Sequence, residues 1–353
     1  MSNLPSLRIG QHLARHPIVQ GAMAVRVSGA NLAGAVANAG GVGLISSFGI
    51  GLNSPYFDNK PRLFFEANKL ALIDELAKVR EISPDGIVGV NVLVATRDYQ
   101  ALAQTAAAHG ANLIVTGAGM PLTLPEYVRD YPTVALVPIV SNLQSAQTIC
   151  ETWHQNYQRL PDALILEHCK LIGGHFASQC EELDDSTLET TIVQLQAYLN
   201  LIGLNIPIIV TGGIWDRSDI DRMLAIGAAG VQIGTRFITT AECDADRQYK
   251  ELHLQAHVQN LVTVPSPVGK PARAMSNQFT EDVLKNSPTL EKRCIANCLD
   301  SCLCRDKKIT YCLLQALSKA AQGDIERGLM FSGGAVKPVT KILPVAELMA
   351  SLT

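Results

Sequence analysis

What the chain lacks narrows its class first. It has no basic block or stripe, and 29 Lys and Arg stand against 32 Asp and Glu, so no nucleic-acid partner is expected. No apolar run approaches the roughly 18 residues of a membrane span. The opening MSNLPSLRIG has no apolar signal core. A cytoplasmic protein is the expectation. Disulfides are rare in that compartment, so the nine cysteines need another explanation. No GxGxxG opens a strand–helix–strand unit, which argues against a Rossmann dinucleotide site. No tandem repeat stands out beyond the strand–helix unit itself.

With 353 residues, 47% of them apolar, the chain suits two domains or one large α/β barrel carrying an insertion. Short apolar, β-branched runs alternate with helical patterns. The runs are HPIVQGAM (16–23), GVGLISS (41–47), GIVGVNVLV (86–94), ANLIVTG (111–117), TVALVPIVS (133–141), DALILEHC (162–169), IPIIVTGG (206–213) and AAGVQIGTRF (228–237). Uniformly apolar strands spaced by helices indicate a parallel sheet covered on both faces. Eight of them fit an α/β fold of the (β/α)8 TIM-barrel type. The rhythm breaks near residue 243. The stretch ECDADRQYKELHLQAHVQNLVTV reads as helix, SPVGKPARAMSN as a loop with Pro265, Pro267, Gly269 and Pro271 as breakers, and 310–322 as helix. Residues 1–242 and 328–353 are therefore assigned to the barrel. Residues 243–327 are assigned to a C-terminal, mainly helical, Cys-rich insertion capping the barrel mouth.

Barrel enzymes work at the carboxyl ends of their strands. Four stretches there are small and Gly-rich: QGAMA, KLIGGHF, VTGGI and QIGTRF. Glycine lets a backbone approach a ligand closely, and late-strand loops with a short helix form the usual barrel phosphate site. Gly212, Gly213, Gly234 and Thr235 are the expected phosphate cradle. A single phosphate site suits a mononucleotide such as FMN. His175 follows two glycines at the mouth of the sixth run, where an imidazole is placed to take or return a proton. Cys169 reads as a lone core thiol.

Five cysteines crowd CIANCLDSCLCRDKKITYC, residues 294–312. Cys294, Cys298 and Cys302 recur every four residues. They would share one face of a helix, or converge around loose turns. Cys312 is the favoured fourth ligand, because Cys304 stands only two residues from Cys302. Four soft thiolates suit a [4Fe–4S] cluster; a zinc site with four thiolate ligands and a set of reduced core thiols are the alternatives.

In order, PIVQGAMA, GVNVLV, GGH, PIIVTGGI and GVQIGTRF resemble the nitronate monooxygenase (formerly 2-nitropropane dioxygenase) superfamily of FMN barrels, which includes flavin-dependent enoyl-acyl-carrier-protein reductases. The resemblance runs over about residues 16–240 and resumes at 328–345. It implies that Gly21, Ala22 and Met23 line the flavin and that Asn91 hydrogen-bonds the isoalloxazine edge. It implies that Gly174, Gly213, Gly234 and Thr235 help hold the cofactor and its phosphate, and that His175 is catalytic. Many nitronate monooxygenases carry an acidic residue and an alanine just before the GGH. Here LEHCKLIGGHF has Glu167 earlier, Lys170 nearby and Leu171–Ile172 before the glycines, which is closer to the acyl-chain branch.

The cysteine segment is similar to an insert in a branch that combines FMN with a [4Fe–4S] cluster and acts on acyl groups carried by acyl carrier protein. That resemblance implies dehydrogenation of a saturated medium-chain (decanoyl) thioester to the trans-2-enoyl form, then isomerisation to the cis-3 form. His175 would serve both steps, and Gly333–Gly334 N–H groups are candidates for holding an enolate oxygen. The cluster would relay electrons or brace the cap. Lys270, Arg273, Lys292, Arg293, Arg305, Lys307 and Lys308 lie in or beside the insertion, as an acidic carrier-protein partner requires and as a solvated face also allows. A homodimer is a further expectation. The rival functions are a nitronate monooxygenase, an NAD(P)H-dependent enoyl reductase and a non-catalytic metal-binding scaffold.

Overall fold

The computed structural model describes residues 4–58, 60–176 and 187–353. Two short antiparallel strands, β1 (Leu7–Ile9) and β2 (His12–Ala14), precede the first expected run. The barrel strands then begin with β3 (Ile18–Gln20), β4 (Gly43–Ser46), β5 (Val88–Leu93), β6 (Leu113–Gly117), β7 (Ala135–Val140) and β8 (Leu164–Glu167). A two-residue strand, β9 (Gly174–His175), stands apart from the barrel. The last two barrel strands are β10 (Ile208–Thr211) and β11 (Gly230–Ile233). Outside the barrel lie β12 (Leu261–Pro265) and β13 (Pro271–Met275).

The eight barrel strands lie in the order β3-β11-β10-β8-β7-β6-β5-β4. Their pairings are parallel. A parallel bridge between Val19 and Val42 joins the two ends of the sheet. The hydrogen bonds Gln20 N–H to Val42 O (2.8 Å) and Val42 N–H to Ile18 O (2.9 Å) complete the ring. All eight expected runs thus supply a barrel strand.

Strand side chains alternate in direction, so uniformly apolar runs can bury both faces. Ile18, Ile45, Val90, Ile114, Leu136 and Val231 face out, in one core with the surrounding helices. Val19, Leu44, Val115, Val137, Ile165 and Ile209 face in. Leu7 and Ile9 of the opening strands join that inner core and are 1% exposed each. The β1–β2 pair therefore plugs the amino-terminal end, and the opposite end carries the candidate site. Among the described residues no helix is long and apolar enough to cross a membrane.

Between β11 and the final helix Val345–Leu352, helices outnumber strands, but the boundaries differ from expectation. The helix after residue 243 covers only Arg247–Leu254. Residues 261–275, expected as a helix end and a loop, form the antiparallel β12–β13 hairpin. Two of the prolines expected to break structure lie within its strands. Pro265 and Pro271 face each other at the last rung, where a missing N–H costs the ladder little. The hairpin edge pairs with β9, giving a three-stranded sheet over the barrel mouth. The cysteine segment packs beside it, against Val25 and Phe48 from the loops after β3 and β4. Its backbone meets the loop after β5 through Asp300 N–H to Ala95 O (3.0 Å) and Arg97 N–H to Cys298 O (3.1 Å).

Gly43 marks the tightest helix–strand approach. A Cβ there would stand 2.0 Å from the carbonyl oxygen of Ala33, on the helix Ala30–Asn38. Backbone cannot rotate away as a side chain can. Gly43→Ala is expected to destabilise the barrel by about 3 kcal/mol, read as a lowered denaturant midpoint. An unchanged midpoint would contradict this packing.

Candidate active site

Loops after β3, β10 and β11 converge at the carboxyl end of the barrel. Gly21 N–H donates to Ile233 O (2.7 Å), and a Cβ on Gly21 would lie 3.2 Å from Gly234 Cα. The turn that follows is closed by Met23 N–H to Ser28 Oγ (2.8 Å). A Cβ on Gly234 would instead enter open space, with Met23 Sδ its nearest neighbour at 3.8 Å. Gly21 and Met23 are thus brought beside Gly234.

Gly212 and Gly213 follow β10 with φ of +100° and +79°, a region that favours glycine. The next helix, Arg217–Ile226, is already capped by its own Asp216. The short helix Thr235–Ile238 has no side-chain cap. An anion in the cradle therefore finds its free N–H groups after β11 rather than after β10.

Inward positions of β5 and β11 each carry one amide side chain toward the carboxyl end of the barrel. Val90 and Val92 face outward, so Asn91 faces inward, and its carboxamide has no hydrogen bond among the described residues. Gln232 lies between outward Val231 and Ile233; its Oε1 is buried without a partner. Unpaired buried acceptors carry a cost unless a ligand answers them. Open space at Gly234, positive-φ glycines, the carboxamide of Asn91 and the unpaired Oε1 of Gln232, whose Nε2 donates to Thr211 Oγ1 (3.4 Å), together fit a planar heterocycle with a phosphate tail. Gln232 is not among the residues expected from sequence. The available signal is one polar residue at an inward position of GVQIG.

His175 is held from outside the barrel. Gly174, with φ of +79°, turns the chain into β9, where His175 pairs with Ala272 of β13. The imidazole Nε2 is 2.6 Å from Ser266 Oγ, in the hairpin turn. The ring sits edge-on to Phe331, with centroids 5.2 Å apart. Burial, reinforced by the charge of Lys270, lowers the imidazole pKa to about 4. The ring is therefore neutral near pH 7 and able to accept a proton.

Glu167 ends β8, beside Thr211 of β10. Burial raises its carboxyl to about 7, against the pull of Lys270. Two titratable groups at the mouth are thus displaced in opposite directions, a pattern common where proton transfer occurs.

The sites expected around these groups need three corrections. Gly333 N–H donates to Thr235 Oγ1 (2.9 Å) and Gly334 N–H to Leu171 O (2.9 Å), so neither is left for an enolate oxygen. Cys169 is not a lone thiol but disulfide-bonded, to a residue outside the described ones. Connectivity of this kind depends on chain folding and cannot be read from spacing. Within the insertion, Arg305 is not free to ring the mouth. It binds Asn297 Oδ1 (2.6 Å) and Asp300 O (2.8 Å), which pins the turn carrying the cysteines.

Cys294, Cys298, Cys302, Cys304 and Cys312 are all free, and all but Cys294 are buried. They come together around loose turns, not on one helix face. Burial and the neighbouring thiols Cys312, Cys302 and Cys294 together raise the pKa of Cys298. Cys304 is pushed up to about 12, first by burial and then by the same neighbours, and it bonds the Cys312 thiol. Its place at the start of the helix Leu303–Lys307 brings it into the group despite its closeness to Cys302. Among the described residues, no three ligating side chains stand in a metal-holding arrangement.

The barrel and the family it matches define the class: a flavin-dependent oxidoreductase. A family model described as nitronate monooxygenase matches residues 6–353, and the chain belongs to that family. A nitronate monooxygenase of Paraburkholderia phytofirmans is 27% identical over 360 residues, covering 95% of this chain and 91% of the relative. A bicyclic carboxyl-CoA dehydrogenase of Mycobacterium tuberculosis is 25% identical, covering 77% of this chain but only 66% of that protein's length. Among solved structures, FabK from Thermotoga maritima has a TM-score of 0.71 at 24% identity, over 96% of this chain and 92% of that one. A nitroalkane oxidase from Streptomyces ansochromogenes has a TM-score of 0.68 at 19% identity, over 95% and 94%. These two likenesses speak to the fold.

The position of His175 fixes a sign for its titration. Its folded value, about 4, lies below the ordinary 6.5, so unfolding takes up a proton between those values. Acidification through that window should therefore reduce the contribution of His175 to stability. Its ring resonance is expected to titrate near pH 4 by NMR, assigned by its absence in His175→Ala. A midpoint near 6.5 would contradict the buried setting.

Proposed function

We propose that the chain is an FMN-dependent acyl-thioester oxidoreductase that dehydrogenates a saturated medium-chain acyl group on acyl carrier protein to the trans-2-enoyl form and then isomerises it to the cis-3-enoyl form. The observation that carries this reading is the neutral imidazole of His175, held by Ser266 on the three-stranded sheet outside the barrel. Gly21, Ala22, Met23, Asn91, Gly174, Gly212, Gly213, Gly234 and Thr235 would hold FMN. When bound, FMN supplies the two-electron acceptor for the β-hydrogen. The likeness to a carboxyl-CoA dehydrogenase supports a thioester substrate.

The residues account for the proton steps. A thioester α-proton is weakly acidic, so its base must be positioned and unprotonated beforehand. His175 meets both needs: Ser266 and Phe331 fix the ring, and burial keeps it neutral. After dehydrogenation the same imidazole would take a proton from C4 and return it to C2. That transfer moves the double bond without net oxidation.

Cys294, Cys298, Cys302 and Cys312 would hold a [4Fe–4S] cluster, whose chemistry is one-electron transfer. All four are free thiols of one segment, and burial first, then the neighbouring thiols, raises the pKa of Cys298, a cost that binding of a metal would offset. Cys304 is a fifth thiol in the same group.

A second reading, nitronate monooxygenase, is favoured by the family match and by a relative aligned over 95% of the chain. It would place an alkyl nitronate, already deprotonated at carbon, in the same cradle beside His175. Protein purified without oxygen should show flavin absorption together with iron and acid-labile sulfide. His175→Ala should keep both cofactors and lose roughly 10²–10⁴-fold in acyl turnover. Undiminished turnover in that variant would remove the assignment. Oxygen consumption with alkyl nitronate, and none with acyl thioester, would select the second reading.

A further inference from the structure

Either substrate class creates the same electrostatic demand. Removing the α-proton of a thioester places negative charge on an oxygen two bonds from that carbon. An alkyl nitronate carries its charge on an oxygen two bonds from the reacting carbon. A site that acts on either must meet an oxyanion at a fixed distance from its base. The Gly333–Gly334 loop does not supply it, because both N–H groups are already bonded within the protein.

We propose that Lys270 is a catalytic residue whose ammonium binds this oxyanion, with Ser266 as the residue that positions His175 opposite it. The inference rests on the functional reading above, in which His175 is the base. Both residues come from one turn of the β12–β13 hairpin. Ser266 N–H donates to Lys270 O (3.2 Å), which carries the ladder one rung past Pro265 and Pro271. Gly269 N–H closes the turn onto Ser266 O (2.9 Å). Ala272 stands directly opposite His175 in the neighbouring pair. Lys270 is two residues from Ala272, so it projects from the same face as His175, as a diagonal neighbour.

The surroundings single out this lysine. It is exposed, and among the described residues it makes no hydrogen bond or ion pair through its side chain. Arg273 on the same strand projects to the other face. Its guanidinium donates to Ile172 O (2.6 Å) and lies 5.0 Å from the Phe176 ring centroid. Lys270 is the charge whose field reaches His175, and the same field reaches Glu167 at the end of β8. A cation there does two things. It helps keep the imidazole unprotonated before substrate arrives, and it offsets the negative charge that forms as the proton leaves carbon. The step is balanced: the C–H bond breaks, its proton goes to the imidazole, and its electron pair moves onto the oxygen. In the tautomer whose Nε2–H donates to Ser266 Oγ, the nitrogen left to accept is Nδ1.

The test uses the holoenzyme and the variants Lys270→Met, Lys270→Arg and His175→Ala. Butyrate serves as the anionic probe, because its carboxylate matches the charge of an enolate or nitronate, and butyramide is its neutral control. By calorimetry, Lys270→Met should weaken butyrate by about tenfold and leave butyramide unchanged. Its turnover should fall about 10²-fold with flavin content retained, and Lys270→Arg should recover part of the loss. The His175 resonance should titrate at higher pH in Lys270→Met. Full turnover and unchanged butyrate affinity in Lys270→Met, beside an inactive His175→Ala, would overturn the role of Lys270 and leave the base in place. An active His175→Ala would overturn the functional reading and this inference with it.

Discussion

The contact between His175 and Ser266 joins the two parts of this chain at the place where chemistry would occur. The imidazole does not stand on a barrel strand. It stands on the two-residue β9, which is kept in position by the edge of the β12–β13 hairpin and by a 2.6 Å contact to the hairpin turn. Gly174 makes the required turn, and Phe331, bridged to Ala274 of β13, packs against the ring. The hairpin is therefore part of the site rather than a cover over it. A barrel alone would supply the cradle but leave the imidazole without its support.

Division of labour between the barrel ends follows from the same construction. The β1–β2 pair fills the amino-terminal end with Leu7 and Ile9, so the core is sealed there. At the other end, loops after β3, β10 and β11 are small enough to leave open space beside Gly234. Around that space burial moves two groups in opposite directions, keeping His175 neutral and favouring protonation of Glu167 near neutrality. Lys270 acts on both. Desolvation sets the direction of each displacement, and the exposed cation adjusts them.

The barrel is legible in the sequence because its strands are buried on both faces, which makes them continuous apolar runs that stand out from the amphipathic helices between them. Each of the eight runs holds a barrel strand. The glycines at the carboxyl ends are legible for a related reason: close approach and positive φ leave a compositional mark. The hairpin is not, because its ends carry Pro265 and Pro271, which in a sequence signal a break and in this structure occupy rungs that need no further donor. The β1–β2 pair is too short to show a period. Support of His175 by Ser266, 91 positions away, depends on that hairpin and is hidden with it. The cysteine segment is legible as a group of thiols. The inclusion of Cys304 follows from the local turn at Leu303–Lys307.

The central claim is that the loops after β3, β10 and β11 hold a phosphate-bearing flavin at the mouth of this barrel. Titration of flavin-free protein with FMN and with riboflavin, followed by quenching of flavin fluorescence, tests it most directly. The predicted result is saturable binding of one FMN per chain and riboflavin weaker by about a hundredfold, since the charge-assisted hydrogen bonds of the phosphate would be lost. Equal affinity for the two flavins, or no saturation by either, would contradict it.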